Sequence, residues 1–251
     1  MRSWSELYED PVQLSTHWGH HRIFAPNAYR IVRQMQAVPV LHTEAIHLAT
    51  WFPLCWARTD DGPVLVALRS LLDGGLGFTS ESRKSSASLP MAFQAFPVAV
   101  PSPDDIASQV IAVDRVIADQ PTDAGAPLIA DNGKLSRAAL MRAGTALTLG
   151  RILPSTLRLT RAIDEAGLLE PWPLKFPVPG APDIVFDGLM VIAASRLDRG
   201  VMFNLIEQHG PTAGLFIAAQ RISLFQIGKL LNSAKIAIAN RLRAEKSVAK
   251  A

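Results

Sequence analysis

Residues 54–71 read "LCWARTDDGPVLVALRSL", and the reading of this stretch decides the fold. Two apolar runs, "LCWAR" and "VLVALRSL", flank "TDDGP". An Asp-Gly pair between apolar runs is a strong hairpin signal, because glycine reaches the positive φ that a tight turn needs. The stretch predicts two extended, antiparallel segments around a short turn. Just upstream, "TEAIHLATWF" (43–52) predicts a short helix with Thr43 as N-cap, ended by Pro53. Downstream, Gly74, Gly75 and Gly77 and the serine-rich "TSESRKSSAS" (79–88) predict a loop.

Working outward, "LPMAFQAFPVAVPSP" (89–103) predicts a short helix at 89–95 and a proline-bounded strand in "PVAVP". "SQVIAVDR" (108–115) predicts another strand, and "DNGK" (131–134) a β-turn. Ser136 is a good N-cap for a long helical tract in which Leu140, Leu147, Leu157 and Ile163 recur. Pro154 should break or kink that tract, and Gly167 should close it as a left-handed C-cap. "WPLKFPVP" and "DIVFDGLMVIA" predict paired strands around "GAPD". From about Pro211 to Arg243 the chain reads as helix. Leu224, Ile227, Leu231, Ala234 and Ile238 form one apolar stripe there, which usually means core packing and less often a partner helix.

Strands come first and helices last, without regular βαβ alternation. This predicts an α+β fold: a small, mostly antiparallel sheet packed with helices, and a long C-terminal helical region. No internal repeat and no linker divides the chain. The expected organisation is an N-terminal arm or extension at 1–37, an α+β domain at 38–240 and a basic C-terminal tail at 241–251.

The bulk numbers are those of a globular chain: 251 residues, 49% hydrophobic and 19% charged. The net charge is +3, but it is unevenly placed. From Lys229 onward six cations face only Glu245, a balance of +5, so the first 228 residues sum to −2. A basic tail suits an anionic partner, although cations near a helix C-terminus are also favoured by the helix dipole alone. The tail therefore carries nucleic-acid or lipid binding only as a weaker reading. The single cysteine, Cys55, rules out an intrachain disulfide and sits in an apolar run, as a buried structural thiol would. No secretory h-region opens the chain, and no apolar run reaches the roughly 20 residues of a membrane span. A cytoplasmic location is expected, with no transmembrane segment.

Few motifs point to chemistry. "HWGHH" places His17, His20 and His21 close together, with His42 and His47 further on. His17 and His21 are spaced i, i+4 and could share a metal on a helix, but a metal site needs three or four converging ligands. "GGLGF" (74–78) matches no phosphate-cradling loop. Asp114, Glu170 and Asp187 are acids set apart by their surroundings, each a general acid or base only if a partner group is brought near. No G-x-S-x-G, H-E-x-x-H or zinc-type cysteine pattern is present.

The ordered series "VPVLHTEAIHLATWFPLCWAR", "LPMAFQAFPVAV", "VIAVDR", "APLIADNGKLS", "AGLLEPWPLKF" and "FDGLMVIAASRL" resembles the SapC family, over roughly residues 38–240. Leu-Glu-Pro-Trp is the most specific piece. The Ala-rich "MVIAASRLDRGVMF" departs from the family, which usually carries more acidic and polar residues there. The family supplies no catalytic residues to carry over. The resemblance implies a bacterial, cytoplasmic accessory role beside surface-protein export, modification or outer-membrane uptake systems.

Two function classes follow. The first is a non-enzymatic accessory protein that binds a protein or peptide partner, with a homo-oligomer through the C-terminal helix as a further partner reading. It predicts an exposed apolar patch. The alternative is an enzyme acting on a peptide or small molecule, metal-dependent through His17, His20, His21, His42 and His47. A ligand or partner cleft at Glu170, Trp172 and Asp187 is the candidate site. Packing and turn roles for the same three residues are the competing reading. No cofactor is identified, and nucleic acid is the least favoured partner.

Overall fold

The hairpin forms where the sequence predicts it. Leu54–Thr59 pairs antiparallel with Gly62–Leu68 in a register that sets Thr59 opposite Gly62 and Leu54 opposite Ala67. Asp60 and Asp61 make the loop, and Gly62 takes φ 112°, a value closed to most side chains. The computed structural model describes residues 4–15, 17–18, 21–75, 88–178 and 180–248.

In chain order the strands are β1 (Pro11–Gln13), β2 (Arg22–Ile23), β3 (Ala37–Pro39), β4 (Leu54–Thr59), β5 (Gly62–Leu68), β6 (Ala112–Asp114), β7 (Ala126–Pro127), β8 (Leu169–Pro171), β9 (Leu174–Phe176), β10 (Ile184–Phe186) and β11 (Leu189–Ile192). The helices are α1 (Arg30–Gln34), α2 (Ala45–Leu48), α3 (Met91–Ala95), α4 (Pro103–Ala107), α5 (Arg137–Glu165), α6 (Arg199–His209), α7 (Pro211–Ser223) and α8 (Ile227–Val248). Five strands form the central sheet in the order β3-β5-β4-β11-β8, and every neighbouring pair is antiparallel. The fold is α+β, as expected.

Both faces of this sheet are covered, which is why β4 and β5 are apolar along nearly their whole length instead of alternating. Leu54, Trp56, Leu65, Met190 and Ile192 point into one core with α2, α5 and α7. Cys55, Ala57, Val64, Val66, Leu189 and Val191 point into a second core closed by α8 and the β9–β10 hairpin. Cys55 is fully buried, and burial pushes its thiol pKa up, as suits a packing residue. The arm is no free extension: Leu7, Ala28, Tyr29 and Val32 join the first core. Arg69, the residue after β5, is buried, stacks over the Phe93 ring and donates to the carbonyls of Val32 and Met35, which ties the arm down.

Local signals held at the ends of α5. Ser136 Oγ accepts the Ala139 N–H at 3.2 Å. At the other end Gly167 takes φ 64°, its N–H bonds to the Asp164 carbonyl, and the Leu168 N–H reaches back to Ile163. This is a Schellman closure, with Leu168 and Ile163 meeting in the core.

Other expectations need correction. Pro154 does not break α5, which is continuous from Arg137 to Glu165. A proline inside a helix costs about 3 kcal/mol or more. Here Ala146, Leu149 and Gly150 before it and Leu159 and Ile163 after it are all anchored in buried packing that outweighs the loss. Thr43 is not an N-cap. The helical turn begins at His42, because the Glu44 carboxylate accepts the Leu41 N–H at 2.9 Å and also the Met91 N–H at 2.7 Å. One buried acid thus joins two helix starts. "PVAVP" forms only a single bridge from Val98 to Val113, since its prolines remove ladder donors. "SQVIAVDR" is strand only from Ala112. Ahead of it lies α4, opened by a Ser102–Asp105 capping box that the local sequence encodes.

Candidate functional site

Glu170 and Trp172 belong to the sheet edge, not to the foot of α5. Glu170 pairs with Val191 in β8, and the Trp172 N–H donates to the Leu189 carbonyl at 2.8 Å. Strand alternation puts the two on one face, where the half-buried Trp172 packs against the second core. Asp187 is exposed in the turn between β10 and β11, next to Gly188 at φ 78°. None of the three is among the residues lining the cavities described below.

The histidines are dispersed. His17 and His47 are exposed, and the His21 ring lies 4.4 Å from the ring of Trp18. His42 turns inward, with Nδ1 2.8 Å from Thr156 Oγ1 and its ring edge-on to Phe216. Burial first, and then the nearby His209, hold the His42 pKa below its usual value. His20 lies outside the described residues. Among the described residues no group of three His, Cys, Asp or Glu side chains is placed to hold a metal.

A polar cavity of about 600 Å³ opens between α1 and the 73–74 turn and includes Glu9, Arg30, Asp73, Asp114 and Asp119. Its most buried acid is already committed. Asp114 accepts the Glu9 and Asp10 N–H groups, each at 3.0 Å, and so pins the N-terminal segment. Asp119 is paired with Arg33. A second crevice of about 400 Å³ between α4 and α5 is mainly apolar.

The structure does assemble a surface feature on the C-terminal helices. Asp198 caps α6 by accepting the Val201 N–H at 2.8 Å. Gly210 at φ 80° turns the chain, and Pro211 opens α7. The inner side of α7 is bolted to the sheet. Ala213, Phe216 and Ile217 enter the first core, and Phe216 sits edge-on to Trp56. Ser223 Oγ accepts the Leu54 N–H at 2.8 Å, and Gln220 Nε2 donates to the Leu54 carbonyl at 2.9 Å. Arg221 reaches the Ile192 carbonyl. A 3-10 turn (Leu224–Gln226) then leads into α8, whose Leu230 and Ala234 are buried in the second core.

With the inner side fixed, the outer side is determined. Phe203 is 63% exposed, Leu215 55%, Ile222 62% and Phe225 84%, with Ile206 and Ile236 also exposed. Ile206 lies against Gly214, which joins the α6 residues to those of α7. Leu215, Ala218, Ile222, Phe225, Lys229, Asn232 and Ile236 recur at steps of three and four, all outward. This is a second stripe, opposite the one that packs inside. The sequence carried its signal, because a helix apolar on two sides is either buried all round or partnered. The expected stripe of Leu224, Ile227, Leu231, Ala234 and Ile238 does serve the core. Among the described residues no helix is long and apolar enough to cross a membrane.

A family model described as SapC matches residues 15–209, and the chain belongs to the SapC family. The match ends with α6, so α7 and α8 follow the matched segment. No curated protein and no solved structure matches the chain.

Proposed function

We propose that this SapC-family chain is a non-enzymatic accessory protein that docks a protein or peptide partner on the outer face of α6–α8. The carrying observation is the set of large apolar side chains, Phe203, Leu215, Ile222 and Phe225, left in water on segments whose inner sides are packed in the cores and, for α7, hydrogen-bonded to the sheet. Singly exposed apolar residues are ordinary, but a contiguous row at regular helical spacing marks an interaction surface. The polar groups elsewhere add support, since the buried acids Glu44 and Asp114 are spent on backbone N–H groups. Family membership suggests the setting: a bacterial cytoplasmic helper of surface-protein export, modification or outer-membrane uptake.

The test is cross-linking and affinity capture from the native bacterium with tagged wild-type protein and with Ile222→Asp/Phe225→Asp. A partner cross-linked to α6–α8 in the wild type and lost in the variant is the expected result. A partner retained unchanged, or cross-linked elsewhere, refutes docking on this face.

A further inference from the structure

The crevice between α4 and α5 is shaped by two glycines of α5 with opposite surroundings. A Cβ on Gly150 would meet the Pro101 carbonyl oxygen at 2.6 Å, so glycine there lets the segment ahead of α4 close onto the helix. A Cβ on Gly144 would meet nothing within 4 Å. Gly144 has no positive φ and lies in the interior of α5, where glycine is among the least favourable residues. Among the described residues no contact compensates for its choice. The crevice is thus a wedge, closed at Gly150 and open at Gly144. Its volume of about 400 Å³ lies in the range of small-molecule sites. Leu140, Gly144, Leu147 and Arg151 recur at steps of four, three and four, and form one wall over about 16 Å of helix. Ile106, Val110 and Ile111 line the other side. Polar groups are few. Asp105 is spent on the cap of α4, accepting the Ser102 N–H at 2.9 Å and the Ser102 hydroxyl at 2.7 Å. Arg151 makes no hydrogen bond or ion pair among the described residues. Helical side chains lean toward the N-terminus, so its guanidinium lies over the turn of Leu147, above the crevice.

We infer that this crevice binds a single-chain aliphatic carboxylate, with its chain along α5 over Gly144 and its carboxylate on Arg151. The missing side chain at Gly144 leaves room for the ligand to lie against the helix backbone, which supplies the reason for glycine that the chain itself does not. Apolar walls on both sides suit a hydrocarbon chain. A peptide would bring N–H and C=O groups that such walls cannot satisfy. The planar guanidinium of Arg151 matches a carboxylate in shape and charge and excludes a cationic head group. Asp105 lines the same crevice, and its negative charge disfavours a doubly charged phosphate more than a single carboxylate. The crevice shares no residue with the α6–α8 face, so this inference does not depend on what docks there.

The test is isothermal titration calorimetry of the full-length protein with decanoate, kept below micelle formation. One site with a dissociation constant tighter than about 100 µM is expected, within reach of a ligand of this size. Gly144→Leu fills the open space at a position where leucine is the better helix former. It should leave the melting temperature unchanged or raised, and weaken decanoate at least about tenfold. Arg151→Gln should weaken decanoate about tenfold and leave uncharged decanol as it was. Phe225→Ser should leave decanoate binding unchanged. No saturable binding below about 1 mM overturns the inference. So does binding that Gly144→Leu leaves intact or that Phe225→Ser removes, since the chain is then seated elsewhere. Equal affinity for decanoate and decanol, with both indifferent to Arg151→Gln, refutes the carboxylate and with it the ligand class. A Gly144→Leu protein that melts below the wild type would show that Gly144 answers to packing within the chain, and the inference falls.

Discussion

The inner and outer sides of α7 carry similar numbers of apolar residues and behave in opposite ways. Inside, Ala213, Phe216 and Ile217 are buried, and Gln220 and Ser223 meet both polar groups of the Leu54 backbone. Outside, Leu215 and Ile222, and Phe225 in the turn that follows, are largely exposed. The polar groups make the difference. A strand start left open at Leu54 would bury an unmatched N–H and C=O, so the face that can satisfy them becomes the inner one. The apolar residues of the other face are then left exposed by geometry, free to serve a partner.

The sharpest way to break this comparison is by stability. Phe216→Ala removes a fully buried ring packed on Trp56 and His42, and should cost about 3–5 kcal/mol in denaturant unfolding. A loss under about 1 kcal/mol would mean that α7 is not seated as described. Ser223→Ala leaves the Leu54 N–H without its acceptor and should cost about 1–3 kcal/mol. A neutral result would separate the fixing of the helix from its polar contacts.

His42 sharpens the comparison through pH. Its folded pKa lies below the ordinary 6.5, so between the two values the unfolded chain binds the extra proton. Stability therefore falls as pH drops through 6.5 toward the folded value, and it is regained as pH rises. His42→Gln should remove that step in thermal melts recorded across the window. An unchanged profile would assign the step to another group. The smallest effect is expected outside. Phe225→Ser should shift unfolding by no more than about 0.5 kcal/mol, because no packing is lost there. A shift as large as that of Phe216→Ala would show that Phe225 belongs to the core.

Much of the architecture is written locally. The "DDGP" turn, the Ser136 cap and the Gly167 closure each depend on backbone preferences acting over a few residues, and each appears where those preferences place it. The local readings that failed were outweighed from a distance. Glu44 reaches both Leu41 and Met91 and moves the helix start off Thr43. Burial on both sides of Pro154 carries α5 through it. Pairing with Val191 draws Glu170 into the sheet. Of the site, the three-four spacing on α7 and α8 was legible.

The sequence by itself determined the α+β class, the hairpin, the two ends of α5, the family resemblance and the cationic bias of the last helix. Only the tertiary structure decided that the histidines at 17, 21, 42 and 47 stay apart, that Asp114 is spent on the N-terminal segment, and which of two apolar stripes faces water. The physical reason is range. Turns and caps are settled by dihedral preferences and hydrogen bonds between near neighbours. The side of a helix that is buried is settled by what lies across from it, and for α7 that is the backbone of Leu54, more than 160 residues earlier in the chain.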